Sequence, residues 1–203
     1  MRACYHLASE GIMMTARAEA SGRVRIIGGA LRGSKLEVPD MPGLRPTPDR
    51  VRETLFNWLM PVIAGAQCLD LFAGTGALGI EALSRGAASV DFVETDARLA
   101  DLLRANLARL KQTARVVRSD AQRFLAETQA HYDVVFLDPP FGADLWTSTA
   151  QALEAHDSLQ ANAWIYVESP ADTAPALPAH WTLHRESRAG AVRYALYRRS
   201  AKL

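Results

Sequence analysis

Cys68-Leu69-Asp70-Leu71-Phe72 is an apolar run that opens into Ala73-Gly74-Thr75-Gly76-Ala77-Leu78-Gly79, and this passage decides how the chain folds. A strand that enters a glycine-rich loop and leaves as a helix is one βα unit, the building block of a parallel sheet. Gly74, Gly76 and Gly79 have the spacing of a dinucleotide-type fingerprint, and Glu94 follows where such a fold places an acid for ribose hydroxyls. Glycine lets a backbone approach a ligand where any Cβ would collide. The loop by itself fits a nicotinamide cofactor as well as S-adenosylmethionine.

Downstream, strand and helix patterns alternate. Ser89–Glu94 reads as a second strand, and Ala97–Lys111 as a helix with Leu99, Leu102, Leu103, Leu107 and Leu110 on one side. Arg115–Arg118 is a third strand, followed by Asp120 and a helix near 121–126. The fourth strand ends at Asp138, a helix follows near 145–155, and Trp164–Glu168 is the fifth strand. Trp181–Glu186 and Arg193–Arg198 are expected to pair across Arg188-Ala189-Gly190 as a closing antiparallel hairpin. The expected fold is therefore α/β: a mostly parallel, seven-stranded Rossmann-like sheet covered on both faces.

Tyr132-Asp133-Val134-Val135-Phe136-Leu137 is continuous rather than alternating, as in a strand buried on both sides. Asp138-Pro139-Pro140-Phe141 ends it, because neither proline can donate to the ladder. A carboxylate, a rigid elbow and an aromatic ring thus meet at the carboxyl end of a central strand, where open α/β sheets bind ligands. Hydride transfer has no use for this set, whereas methylation of an exocyclic amine does. Such an amine is a poor nucleophile, its lone pair being delocalised into the ring. Hydrogen bonds to Asp138 and the Pro139 carbonyl favour a pyramidal nitrogen, and Phe141 offers a stacking surface. Neither metal nor covalent intermediate is required.

Residues 23–60 differ in pattern. Arg23–Ile27 alternates as a half-buried strand, Gly28-Gly29 offers a turn, and Thr47 is placed to cap a helix that begins at Pro48. Val51, Leu55, Trp58, Leu59 and Val62 make its apolar face. Arg45, Arg50 and Arg52 crowd its amino end, where they oppose the helix dipole and call for an external anion. The net charge of +1 hides an asymmetry: residues 23–53 carry seven Lys/Arg against four Asp/Glu, 54–184 eight against fifteen, and 185–203 six against one. Two basic ends around an acidic body suit a polyanion. No apolar run reaches the ~18 residues of a membrane span. Cys4 and Cys68 make no disulfide framework, and His180 and His184 flank a strand rather than form a metal pair. Residues 1–22 lack a continuous apolar segment and are expected to be a disordered leader. A cytoplasmic monomer is the expectation.

The chain resembles the RsmD family of bacterial 16S rRNA (guanine-N2)-methyltransferases, class I S-adenosylmethionine enzymes. The resemblance rests on Arg25-Ile26-Ile27-Gly28-Gly29, Leu31-Arg32-Gly33, Arg45-Pro46-Thr47, the Asp49–Leu59 block, Leu69–Gly76 and Phe136–Phe141, and covers about residues 23–199. It implies cofactor contacts from Asp70, Phe72, Ala73, Gly74, Thr75, Gly76, Gly79, Glu94, Asp120 and Ala121. It places the chemistry at Asp138, Pro139, Pro140 and Phe141 and makes residues 23–60 an RNA-holding extension to a methyltransferase domain over 61–203. Arg25, Arg32, Arg45, Arg50 and Arg52 are then expected to contact phosphates of 16S rRNA in the small subunit. Alternatives consistent with the residues are a DNA adenine or cytosine amino-methyltransferase, a non-catalytic rRNA-binding assembly factor and, last, a nicotinamide oxidoreductase.

Overall fold

The computed structural model describes residues 22–39, 41 and 47–200. Its elements, in chain order, are β1 (Gly22–Arg25), β2 (Lys35–Val38), α1 (Asp49–Leu59), β3 (Gln67–Asp70), α2 (Ala77–Ser84), β4 (Ser89–Glu94) and α3 (Ala97–Arg109). There follow β5 (Arg115–Arg118), α4 (Ala121–Glu127), β6 (Tyr132–Leu137), α5 (Trp146–Ala155), β7 (Leu159–Pro170), β8 (Trp181–Ala189) and β9 (Val192–Arg199). The last seven strands form one sheet in the order β5-β4-β3-β6-β7-β9-β8, parallel except for the two ladders of β9, and β1-β2 is a separate antiparallel ribbon. From β3 the chain winds outward through β4 and β5, then returns to lay β6 on the other side of β3. That reversal makes β3/β6 the topological switch point, where a crevice opens beyond the strand ends.

Both sheet faces are covered, and successive strand residues alternate between them. Cys68, Val134, Phe136, Tyr166 and Leu196 pack with α1, α2, α3 and the β1–β2 ribbon, while Leu69, Val135, Leu137, Val167 and Ala195 pack with α4 and α5. The continuous apolar run at 132–137 is read correctly as a strand with two dry faces. β4 and β5 have the bounds expected, whereas β7 extends through 159–170 with a register shift against β6 between Tyr132 and Val134. In α3, Leu99, Leu103 and Leu107 are buried with Asn106; Leu102 and Leu110 are only partly covered. The β8–β9 strands meet across Gly190-Ala191, tighter than the Arg188–Gly190 turn expected.

The described residues of 22–60 share the core of the rest of the chain. Val24, Ile26, Leu36 and Val38 of the ribbon and Val51, Leu55, Phe56 and Leu59 of α1 join the same apolar cluster as Cys68, Ile80 and Phe92. Each such side chain contributes about 1.5–3 kcal/mol when fully buried. A polar seam adds direction: Glu81 of α2, fully buried, accepts from the Ile27 and Gly28 amides at 2.8 Å each, and Ser84 binds the Leu31 amide at 2.9 Å. Glu81 also takes Arg85 at 2.8 Å and faces Arg52 at 3.7 Å.

The glycine loop is shaped as much by packing as by any ligand. Gly76 sits at φ +78°, and a Cβ there would lie 2.3 Å from a Leu103 methyl. A Cβ on Gly79 would lie 2.2 Å from the buried Phe92 ring, so α2 rests directly on β4. Gly79→Ala is therefore expected to destabilise the fold by about 1–3 kcal/mol, the usual cost of overpacking a filled core. Urea unfolding measures it, and an unchanged midpoint would refute the contact. Among the described residues, no helix is long and apolar enough to cross a membrane.

Candidate active site

Five strand ends on one edge of the sheet each carry an acid. Asp70 closes β3, Glu94 closes β4, Asp120 follows β5, Asp138 follows β6 and Glu168 lies near the end of β7. The switch point brings the first and fourth of these together: Leu71 N–H donates to the Phe136 carbonyl at 3.3 Å, two residues short of Asp138. The glycine loop and the Asp138–Phe141 elbow thus begin on adjacent rungs of one ladder.

On the loop side, the carboxylates hold backbone. Glu94 Oε2 accepts from the Gly74 amide and Oε1 from the Asp96 amide, both at 2.8 Å. Oε1 also takes the Thr95 hydroxyl at 3.4 Å, while Oε2 keeps a second lone pair, so a ribose hydroxyl remains compatible with these bonds. Asp70, 2% exposed, accepts from the Gly79 amide at 3.0 Å and so pins the first turn of α2. Burial, reinforced by the Glu94 charge and opposed by that amide, pushes its carboxyl up to about 7. Asp70 thus stands beneath the loop as a brace. Asp120 is exposed and caps α4 through the Arg123 amide at 2.9 Å, with Ala121 buried behind it. Beside it, the Ser119 hydroxyl oxygen is buried and has no hydrogen-bond partner among the described residues.

On the elbow side, Asp138 is partly buried and Phe141 is 41% exposed, its ring tilted at 46° on Trp146 with centroids 6.0 Å apart. Pro139 is buried, Pro140 is exposed, and a single 3-10 turn over Phe141–Ala143 follows. Burial raises the Asp138 carboxyl well above the usual carboxylate range; the charges of Glu168 and then Asp70 add to the rise, and the Thr47 hydroxyl opposes it.

Two residues of this site were not among those expected. Thr47 donates to Asp138 Oδ2 at 3.4 Å and makes no helix cap: α1 starts at Asp49 with Pro48 at the cap position and no side-chain cap bond. Local capping preference yields here to a partner 91 residues away. Glu168, 6% exposed, accepts from the Tyr166 hydroxyl at 2.7 Å. The signal that could have found it is the one that marks Asp70, Glu94 and Asp138, an acid where an apolar strand stops.

The arginines divide. Arg25 and Arg50 are exposed and flank the Thr47 segment, with Arg25 3.6 Å from Asp49. Arg32 is exposed in the turn docked on Ser84, so the length of α2, about 12 Å, separates it from the loop. Arg45 lies outside the described residues, as does the leader apart from Gly22. Arg52 corrects the expectation of a phosphate contact: it is fully buried, bonded to Asp49 at 2.6 Å, the Arg25 carbonyl at 2.8 Å and the Thr47 carbonyl at 3.2 Å. It belongs to the stripe Arg52, Leu55, Phe56, Leu59, which faces inward.

Known proteins are similar to this chain in sequence and fold. A family model described as "Conserved hypothetical protein 95" matches residues 24–198. Ribosomal RNA small subunit methyltransferase D of Escherichia coli (strain K12) is 56% identical over 184 residues, spanning 90% of this chain and 93% of that protein. Its Haemophilus influenzae counterpart is 49% identical over 183 residues, 88% of this chain and 95% of that protein. A solved Escherichia coli structure, 53% identical, superposes with TM-score 0.83 over 89% of this chain and 100% of its own. The Thermus thermophilus 16S rRNA N2 G1207 methyltransferase RsmC, solved with AdoMet and guanosine, is 20% identical with TM-score 0.66 over 89% of this chain and 50% of its own. At that identity it shows the shared fold alone.

Proposed function

Because the chain belongs to the family described as conserved hypothetical protein 95, we propose that it transfers a methyl group from S-adenosylmethionine to an exocyclic amine of small-subunit ribosomal RNA, the N2 of a guanine in 16S rRNA. The observation that carries the chemistry is the adjacency of the glycine loop and the Asp138–Phe141 elbow at the β3/β6 switch point. The ribosomal RNA comes from the relatives named above, and the guanine from the resemblance of the motifs to the RsmD family.

The residues present fit that cofactor. Glu94 suits ribose hydroxyls, and the Ser119 hydroxyl and Asp120 lie at the next strand end for a base amine. When bound, S-adenosylmethionine supplies an electrophilic methyl group on a sulfonium. The protein presents the amine to it. Stacking on Phe141 contributes roughly 1–3 kcal/mol, which offsets most of the few kcal/mol needed to extrude a base. Asp138 and the Pro139 carbonyl take the two amine hydrogens and leave the nitrogen lone pair directed at the methyl carbon. Holding both groups in line can lower the barrier by up to about 7–11 kcal/mol.

The decisive experiment incubates the protein with labelled S-adenosylmethionine and small ribosomal subunits from cells lacking it, with duplex DNA in parallel. Label in one methylguanosine of 16S rRNA, mapped by mass, is the expected result; label in DNA, or in neither, would overturn the reading. On the binding face, Arg25→Ala and Arg50→Ala are expected to weaken RNA binding and each to reduce the slope of log K against log salt by about one. An unchanged slope in both would remove that face from the contact.

A further inference from the structure

β8 is an edge strand of the sheet, and its pairing with β9 slips by one residue between Leu183 and Arg185, so His184 is the extra residue of a bulge. The slip decides which face each later side chain takes, because directly opposed residues point the same way. Thr182 stands opposite Arg198 and Arg185 opposite Leu196, so Arg185 shares the α1 face of the sheet with both. Without the extra residue, Arg185 would fall opposite Ala195 on the α5 face, and Glu186 opposite Tyr194 on the α1 face. The bulge instead turns Glu186, the one acid among residues 185–203, to the α5 face, where Arg193 donates to it at 2.6 Å.

The α1 face of this edge is open. Near the end of α1 the Trp58 ring stacks on Tyr194 of β9 at 5.5 Å, and beyond it Thr182 to Glu186 are all exposed. Arg198, also exposed, lies over the Trp164 ring at 5.6 Å and donates to Asn162 at 3.4 Å. His184 meets the same ring edge-on at 4.9 Å. A guanidinium laid on an indole is held at the surface with less freedom to lose on binding. Arg185 forms no ion pair among the described residues. Asp133, which borders this patch beside Asn162, already accepts from the Gln67 amide at 2.8 Å.

We propose that this face of β8 and β9 is a second contact surface for the ribosomal RNA, with Arg185 and Arg198 taking phosphates of nucleotides that flank the one entering the crevice. The inference rests on the methyltransferase reading above and extends it to the flanks of the substrate. Trp164 lies four residues before Glu168 on β7, so the surface begins about 13 Å from the sheet edge that carries Asp138. At about 3.4 Å per nucleotide along a strand, that is roughly four nucleotides. α1 carries Arg50 at its amino end and Trp58 near its other end, so RNA that follows the helix meets both basic surfaces.

Binding of small ribosomal subunits over a salt series tests the surface. Arg185→Ala combined with Arg198→Ala is expected to lower the slope of log K against log salt by about 1.4 to 1.8, the loss of two phosphate contacts. KM for the subunits rises, while kcat at saturation, S-adenosylhomocysteine affinity and melting temperature stay near wild type. Arg185→Lys combined with Arg198→Lys keeps both charges and restores the slope. Arg188→Ala, on the α5 face opposite Arg193, leaves it unchanged. Thr182→Glu sets an acid opposite Arg198 and is expected to weaken binding by itself, so the surface is testable even where the alanines loosen the edge strand. A slope unmoved in the double alanine variant, or binding unmoved in Thr182→Glu, overturns the proposal. So does a loss of about one in Arg188→Ala, which would mark general attraction to a basic edge. A free protein that is dimeric in the wild type and monomeric in the double variant, with the RNA slope unmoved, would make the face a contact between copies and also overturn it. Methyl transfer by the wild type beside an unmoved slope leaves the methyltransferase reading intact. No transfer by the wild type, with the slope still lost in the double variant, sinks that reading and leaves the RNA surface standing.

Discussion

Asp138→Asn is expected to abolish methyl transfer while making the protein more stable. On the proposed reading the carboxylate is the acceptor for the amine, and losing such a group costs about 10²–10⁴-fold in rate. S-adenosylhomocysteine binding is expected to stay within a few-fold, because the loop side is organised by Glu94 and Asp70 and not by Asp138. The stability gain follows from linkage. The folded-state carboxyl is raised above its unfolded value, so between the ordinary carboxylate range, about 4, and its folded pKa the native state binds more protons than the unfolded one. Stability is therefore greatest below that window and declines as pH rises through it. Asparagine removes the titrating group, flattens the decline and raises the melting temperature at neutral pH. Thermal melts across pH check the sign, and methyl transfer checks the rate. A variant that melts lower at neutral pH, or one that still turns over, would contradict the site as assigned.

The largest loss of stability is expected from Glu81→Ala. That substitution leaves Arg52 fully buried with one partner fewer, frees Arg85 from its 2.8 Å contact and strips two backbone amides of their acceptor. Breaking a buried charge pair from one side typically costs about 3–5 kcal/mol, and here the orphaned Ile27 and Gly28 amides add to it. Denaturant unfolding of Glu81→Ala should show a midpoint displaced by that amount. Glu81→Gln, which keeps an acceptor oxygen for one of the two amides and loses the charge, should fall between. If both variants unfold with the wild type, the seam between the ribbon and α2 is not what secures residues 22–60.

Much of this fold was legible because its rules are local. An apolar run of six residues closed by two prolines has few readings besides a central strand, and a glycine loop followed by an acid at the next strand end reads as a nucleotide-type βα unit. What escaped was what depends on tertiary contact. Thr47 has every local qualification for a helix cap and gives its hydroxyl to Asp138 instead. Arg52 sat in a basic cluster that looked like a phosphate clamp, yet its spacing with Leu55, Phe56 and Leu59 is that of a helix stripe, and period outweighed charge. Glu168 lies 30 positions beyond Asp138 in sequence and one strand away in space. Only the parallel register of β6 and β7 sets them together. The division at residue 60 was drawn where composition changes; packing ignores it.

Because Glu81, Ser84 and Arg85 reach back into residues 22–60, that segment is not a cassette. A chimera that grafts these residues from a distant relative onto this chain would import half an interface whose matching half lies in α2. Exchange of the basic face between relatives should succeed only when α2 and Arg85 travel with it, and recombination within a family of this design is constrained to breakpoints after Arg85.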